Sequence, residues 1–326
     1  MSFGGPEGPD DVLPFLEHVT RGRGVPPARL AEVARHYEHF GGTSPINKET
    51  GALAQAVQAE LARRGLGLEV YWGNRHWHPF LSATLRQMAA DGVRRALAFA
   101  TSAFSSYSSC RQYIDDIARA RAEVGDEAPE VTKLRVFYNH PGFIEAMARL
   151  TREGLGRLPC PVRGDADLIF SAHSIPLSMA RCCDYEVQLE EAAGLVAERL
   201  DEPHPWSVAY QSRSGPPSTP WLEPLVEDQL DHLAERGVQA AALVPIGFVA
   251  DHVEVLYDLD TLALARARSL GLSAIRVPTV GTAPEFVAMI GELVEERANG
   301  TPSRPALGRL GQRPDNCAPG CCPPSA

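Results

Sequence analysis

The sequence predicts an α/β protein of two Rossmann-like lobes, each a mostly parallel sheet flanked by helices, with a cleft between them. Three observations carry this. Short, nearly continuously apolar runs alternate with amphipathic helical patterns, as in doubly wound folds whose strands are covered on both faces. A weak internal echo, His78-Pro79-Phe80, His140-Pro141-Gly142-Phe143 and Ala283-Pro284-Glu285-Phe286, opens a helix after a strand each time, and Pro suits a first helical turn. The 326 residues are also enough for about two domains, at roughly 100–200 residues each.

In chain order, the strand candidates are Leu68–Gly73, Ala96–Thr101, Leu134–Tyr138, Leu168–Ala172, Ser207–Gln211, Ala240–Val249 and Ala274–Val280. Helical periodicity covers Leu53–Arg64, Ser82–Asp91, Cys110–Val124, Gly142–Glu153, Tyr185–Leu200 and Leu222–Arg236. The lobes are expected at residues 1–150 and 151–300, with the side to which the last helix returns left open. Residues 301–326, rich in Pro, Gly and Arg and without periodicity, read as a tail lacking its own core. Met1-Ser2-Phe3-Gly4-Gly5-Pro6 looks like the end of a buried strand and the turn after it, so the rest of that strand is expected upstream of Met1.

Composition narrows the function classes. Lys and Arg number 31 against 41 Asp and Glu, a formal charge of −10 with no basic block, which argues against nucleic-acid binding. No apolar run approaches the ~20 residues of a membrane span, and no signal peptide opens the chain. A cytoplasmic protein is expected. Seven cysteines, three of them in the last ten residues, do not read as a disulfide framework in that setting. Glycine motifs for phosphate binding are absent: neither GxGxxG nor a Walker loop occurs, nor G-x-S-x-G or H-E-x-x-H.

The chemistry is expected at two strand ends. His173, in Ser171-Ala172-His173-Ser174-Ile175-Pro176, lies just past an apolar strand, where open α/β sheets bind ligands. A helix-capping or carbonyl-bonded histidine is the plain alternative. Asp251, Glu254 and Asp258 follow the strand at 240–249 and would share one helical face. Acids in a first helical turn also simply complement the helix dipole. Two histidines and several carboxylates at neighbouring strand ends make a mixed N/O site for a first-row divalent metal.

Five separated segments together resemble the ferrochelatase family: SFGGPEGPDDV at 2–12, HYEHFGGTSPIN at 36–47, SAHSIP at 171–176, QSRSGPPSTPWLEP at 211–224 and PIGFVADHVEVLYDLD at 245–260. The resemblance runs from residue 2 to about 295. It implies a chelatase-type fold and insertion of Fe²⁺, the metal substrate, into a porphyrin as a step of haem biosynthesis, with neighbouring haem-pathway enzymes as partners. On the family pattern, His173 binds the metal and accepts a pyrrole proton, and Glu254 faces it across the cleft. Ser44 and Tyr113 match porphyrin-contacting positions. Arg21, Arg23 and Tyr37 lie where propionates are held, although a solvated loop is the plain reading of Arg21 and Arg23. Phe3 stands where some relatives carry a Tyr that can ligate the product iron; Phe has no lone pair and can only pack against the ring. Leu262 replaces the acid that often continues the acidic row one turn beyond Asp258, so a weaker outer metal site is expected.

The resemblance also gives the tail a reading. Some ferrochelatases hold a [2Fe–2S] cluster on one internal and three C-terminal cysteines; Cys160, Cys317, Cys321 and Cys322 match, leaving Cys110, Cys182 and Cys183 as structural or incidental thiols. Zinc would accept four thiolates as well. The segment Thr20–Leu30 (TRGRGVPPARL), a polar lip, suits coproporphyrin III with its four propionates. Protoporphyrin IX is the second choice. A cobalt or nickel tetrapyrrole chelatase and a non-catalytic haem carrier are the remaining alternatives.

Overall fold

The computed structural model describes residues 1–22, 24–215, 218–300, 304–315, 317–318 and 320–323. Arg23 and the two prolines of the SGPP segment therefore lie outside the described residues.

The second half of the chain holds a four-stranded parallel sheet in the order β4-β3-β5-β6, formed by β3 (Asp167–His173), β4 (Trp206–Gln211), β5 (Ala240–Val244) and β6 (Ser273–Arg276). Residues of β5 and all but the last of β3 are buried, which is why these segments read as unbroken apolar runs. One face is covered by Val226–Glu235 and by the helical turns after residue 253, packing Leu230, Leu233, Leu259 and Ala263 against Ile169, Ala241 and Leu243. The opposite face joins the main core through Leu168, Phe170 and Ala242 with Leu189 and Val196. The run predicted at Ala240–Val249 stops at Val244. Pro245 cannot donate to a ladder, and the chain turns there so that Gly247 N–H bonds the Ser171 carbonyl at 3.0 Å.

The first half is different. Its sheet has two parallel strands, β1 (Arg95–Ala98) and β2 (Glu130–Lys133). The predicted strand Leu68–Gly73 forms no ladder. Leu134–Tyr138 is buried but continues past β2 rather than pairing; its Leu134 N–H bonds the Ala98 carbonyl at 2.9 Å. Around this sheet lie the helices Ile46–Arg63, Leu81–Ala90, Gln112–Val124 and Pro141–Leu155. The first begins well before the expected Leu53, at Ile46, whereas periodicity locates the last three within a few residues. It passes over Val12–Val19 and Pro27–Glu38, which pack as a pair through Phe15, Leu16, Ala34 and Tyr37.

The last helix, Pro284–Ala298, packs on both Ile46–Arg63 and Pro141–Leu155, so it returns to the first half of the chain. Buried Arg135 makes a double hydrogen bond to Glu296 at 2.9 and 3.0 Å and also reaches the Pro305 carbonyl. The tail departs from expectation. Leu307 and Leu310 pack on the main core, and fully buried Asn139 donates to the carbonyls of Leu307 and Gly311 at 2.9 Å. Leu310 N–H bonds Glu191, and Arg313 pairs with Asp184 at 2.6 Å. The described part of the tail thus borrows a core it lacks, and its carbonyls take both donors of the buried Asn139 amide nitrogen, each of which would cost about 1–3 kcal/mol if left unpaired.

Candidate active site

In the second sheet β4 lies on one side of β3 and β5 on the other, so the strand order reverses between β3 and β5. The crevice beyond the carboxyl ends of two such strands is where open α/β sheets bind ligands. His173 ends β3. The segment leaving β5 delivers Glu254 to the same crevice, with His173 Nε2 and Glu254 Oε2 3.8 Å apart. Gly247 permits this approach: a Cβ there would stand 2.6 Å from the Cα of Ala172, so any side chain would push the β5 turn away from β3.

The imidazole is oriented by its neighbours. His173 Nδ1 lies 2.5 Å from the Ser174 carbonyl, which can only accept, so Nδ1 donates there and Nε2 is the ring nitrogen turned toward Glu254. The Tyr185 hydroxyl donates to the His173 carbonyl at 3.0 Å, and Ser174 N–H to the Gln211 carbonyl at 2.8 Å. At 3.8 Å the His173–Glu254 contact is too long for a hydrogen bond and leaves both groups able to meet a third partner.

Glu254 sits on a short helical turn that continues as a π-helix, Leu256–Ala263. The wide π turn carries Asp258 close in line with Glu254; such π segments recur at functional sites. Asp258 accepts from Ser212 Oγ at 2.5 Å and from Gln211 at 3.5 Å. Burial raises the carboxyl of Glu254, with His173 pulling it back down and Asp258 pushing it further up. About half of the Glu254 side-chain surface nonetheless opens into the cleft. Burial raises Asp258 too, opposed by the Ser212 hydrogen bond and by His173 and His36. His252 is pushed down to about 3 by burial and then by His173, so it is neutral. Asp251 does not join the row expected for it. It pairs with Arg276 at 3.0 Å and accepts from Thr279, because it precedes the helix and points back toward β6.

The first half of the chain supplies an aromatic wall. Tyr37 is buried, and the nearby Glu254 carboxylate adds to the burial that raises its phenol. Its ring meets Phe15, Phe15 meets Phe3, and Phe3 stacks obliquely on His76 at 4.4 Å with 37% of its surface exposed. The Arg75 guanidinium lies 4.6 Å from the Tyr113 ring centre and 5.8 Å from that of Phe3, and is paired with Asp116. Ser44 is buried under Gly5, where a Cβ would collide with Ser44 Cβ at 2.8 Å. Arg21 is exposed. The fold thus joins His173, Glu254 and Tyr37 in direct proximity and links Phe3 and Tyr113 through Arg75. Sequence reasoning missed Arg75, Ser212, Gln211 and His36, whose ring stacks on Tyr257 at 3.9 Å. Ser212 and His36 stand inside two of the recognised segments, which is the available signal; Arg75 has none.

The thiols converge away from the sheet. Cys317 hydrogen-bonds Cys110, which lowers Cys317 and raises Cys110. Cys321 and Cys322 have their sulfurs 3.5 Å apart, and Cys322 is pushed up to about 12 by burial and then by Cys321, with Cys183 and Cys110 adding smaller effects. Cys160 is exposed at the start of a four-residue helix. The internal thiol in contact with the tail is therefore Cys110, expected from the sequence to be incidental. Among the described residues no three His, Cys, Asp or Glu side chains stand in a ready metal-holding arrangement. No helix among them is long and apolar enough to cross a membrane.

Comparison with known proteins finds relatives over nearly the whole chain. A coproporphyrin III ferrochelatase of Frankia alni is 52% identical over 99% of this chain and 85% of its own. One of Streptomyces coelicolor is 50% identical over 100% and 92%. A ferrochelatase of Rhodopirellula baltica is 50% identical over 99% and 92%. Among solved structures, SirB from Bacillus subtilis with Fe³⁺ superposes with a TM-score of 0.56 at 10% identity, covering 78% of this chain and 91% of that one, a likeness of fold alone. The ferrochelatase family model matches residues 1–298, and the chain belongs to the ferrochelatase family.

Proposed function

We propose that this chain inserts Fe²⁺ into coproporphyrin III, forming coproheme and releasing the two pyrrole protons. The carrying observation is His173 Nε2 facing Glu254 at 3.8 Å beyond the switch point of the sheet. Metallation needs a base for the pyrrole N–H, and Nε2 holds a lone pair that its Nδ1 hydrogen bond keeps in place. It also needs ligands that bind Fe²⁺ loosely enough to release it; one imidazole and one carboxylate meet that need where four thiolates would not. Glu254, Asp258 and the Ser212 hydroxyl form a polar row leading from His173, suited to carrying iron in or the second proton out. Phe3, exposed against His76, offers a flat apolar contact for the macrocycle, and Arg75 holds Tyr113 beside it.

The choice of coproporphyrin rests on the polar lip at 20–30, including exposed Arg21, and on the substrate named for the Frankia and Streptomyces relatives. Guanidinium groups suit the propionates of a tetra-acid. An anaerobic assay with Fe²⁺ and either porphyrin tests it. Faster turnover of coproporphyrin III is expected; faster turnover of protoporphyrin IX would overturn the substrate, and metallation of neither would overturn the activity.

A [2Fe–2S] cluster on the tail belongs to the same reading, held by Cys317, Cys321, Cys322 and Cys110 in place of Cys160. Its support is an all-thiol donor set drawn together at the end of a docked tail. When bound, such a cluster supplies one-electron redox chemistry. This chain's own contribution would be to supply thiols from two distant segments, which would draw together and give up their protons on ligation.

A further inference from the structure

The acidic row beside His173 is held from behind by one guanidinium. Arg276 ends β6 and lies opposite Leu243 in the β5–β6 register, so the second sheet fixes its backbone. Its Nε and Nη2 donate to the two oxygens of Asp260 at 2.9 and 2.8 Å. Its Nη1 lies 3.1 and 3.0 Å from the two oxygens of Asp251. The side chains of Arg276 and Asp251 are only 14% and 16% exposed, so these contacts are largely shielded from solvent. Asp251 and Asp260 stand nine residues apart, and Glu254 and Asp258 lie between them.

Other contacts fix each end of this segment separately. Thr279 Oγ1 donates to Asp251 at 3.1 Å. The Asp251 N–H donates to Glu49, on the helix Ile46–Arg63, at 2.7 Å. Val253 is buried among Val12, Phe15 and Tyr37. Toward the other end Leu259 packs with Leu230 and Ala263. Among these contacts the Arg276 fork spans both ends. The π-helix Leu256–Ala263 belongs to a rare class of turn, and the fork grips it from outside at Asp260. The charges that shift Glu254 most are those of His173 and Asp258, so Arg276 bears on Glu254 through the backbone.

We propose, resting on the reading of His173 and Glu254 as the metal-facing pair, that Arg276 is a positioning residue for metal insertion: by forking between Asp251 and Asp260 it closes residues 251–260 into a loop of fixed shape, and so sets where Glu254 and Asp258 stand relative to His173. A planar guanidinium presents its donors at fixed angles and can set the spacing of two carboxylates, whereas a lysine ammonium would meet one of them. Without the cation, two partly buried carboxylates would face each other and repel, and the loop would open. Side chains that orient a metal ligand from behind are typically worth roughly 10–100-fold in affinity or activity. A displacement of about 1 Å at a reacting group can cost roughly 100-fold in rate.

The test compares Arg276→Lys, Asp260→Ala and the double variant with the unaltered chain. Anaerobic kinetics are measured with Fe²⁺ and coproporphyrin III, and amide exchange is followed over residues 252–263 and over β5. Each single variant should lower kcat/KM for Fe²⁺ by about tenfold or more, with KM for the porphyrin within about twofold. Exchange over 252–263 should quicken about tenfold while β5 keeps its protection. The double variant should lose little more than the worse single one, because both break the same fork. If Arg276→Lys does not fold, Asp260→Ala carries the same test, since Asp260 is one-third exposed. Unchanged kcat/KM for Fe²⁺, an equal rise in the porphyrin KM, exchange that quickens across β5 as well, or multiplied losses in the double variant would each overturn the proposal. If the unaltered chain inserts iron into neither porphyrin, the reading of the site falls and the proposal with it. If the unaltered chain turns over and the variants match it, the fork alone falls.

Discussion

The two sheets face the same problem and meet it differently. In the second, β3 and β5 each have neighbours on both sides, helices cover both faces, and six of the seven β3 residues are buried. In the first, β1 has one neighbour and an apolar channel on its open edge, and its residues range from exposed to buried. The metal-facing pair, His173 and Glu254, grows from the complete sheet, where backbone positions are fixed by packing on every side. The first half of the chain contributes the broader aromatic wall of Phe3, Phe15, Tyr37 and His76. On the proposed function, two groups held a few ångströms apart rest on the closely packed sheet, and the contact for a flat macrocycle on the other half.

Four tests break or sharpen this contrast. The largest effect is expected for His173→Ala, which should lower metallation at least ~100-fold by removing the base while leaving the unfolding transition in place. Phe3→Ala should cost only a few-fold, chiefly in KM. Comparable losses in kcat for the two would erase the division between halves.

Next, Ala242→Asp in β5 should destabilise by about 3–5 kcal/mol, since it buries an unpaired charge. Leu97→Asp in β1 should cost about 1 kcal/mol, because its side chain borders the channel and can be solvated. Denaturant titration distinguishes them, and equal costs would show that the first sheet is as tightly closed as the second.

Cys110→Ser should abolish the visible absorption and the equal iron and sulfide content of the cluster, and Cys160→Ser should leave both intact. The reverse result would return the fourth ligand to Cys160.

The smallest effect concerns pH. Asp258 raises the Glu254 carboxyl, so Asp258→Asn should let Glu254 stay ionised to lower pH. The acid limb of kcat/KM would then move downward by a fraction of a pH unit, as expected for a nearby like charge partly offset by cleft solvent. Movement upward would mean that Asp258 does not act on Glu254 through its charge.

Much of the site is legible in the residues alone. His173 ends β3, where the strand-end rule looks, and the family segments carry Glu254 and Ser44 by position. Arg75 is invisible there. It lies in a stretch without periodicity and acquires meaning only when Asp116 and Tyr113, about forty residues on, close around it. β3 and β5, the inner strands of the second sheet, are readable because burial on both faces leaves a continuous apolar run. Leu68–Gly73 has the composition of a strand yet forms no ladder, since composition alone does not supply a pairing neighbour.

The order of elements, the strand-end histidine, the acidic row after β5 and the supply of thiols are written in the sequence, because each depends on local pattern or on residue type. The tertiary structure decided the rest. It turned Asp251 away to Arg276, brought Cys110 against Cys317 and docked the tail on Asn139. Those outcomes depend on which distant segments meet. Such meetings follow from the packing of the whole chain, and no local window of residues contains them.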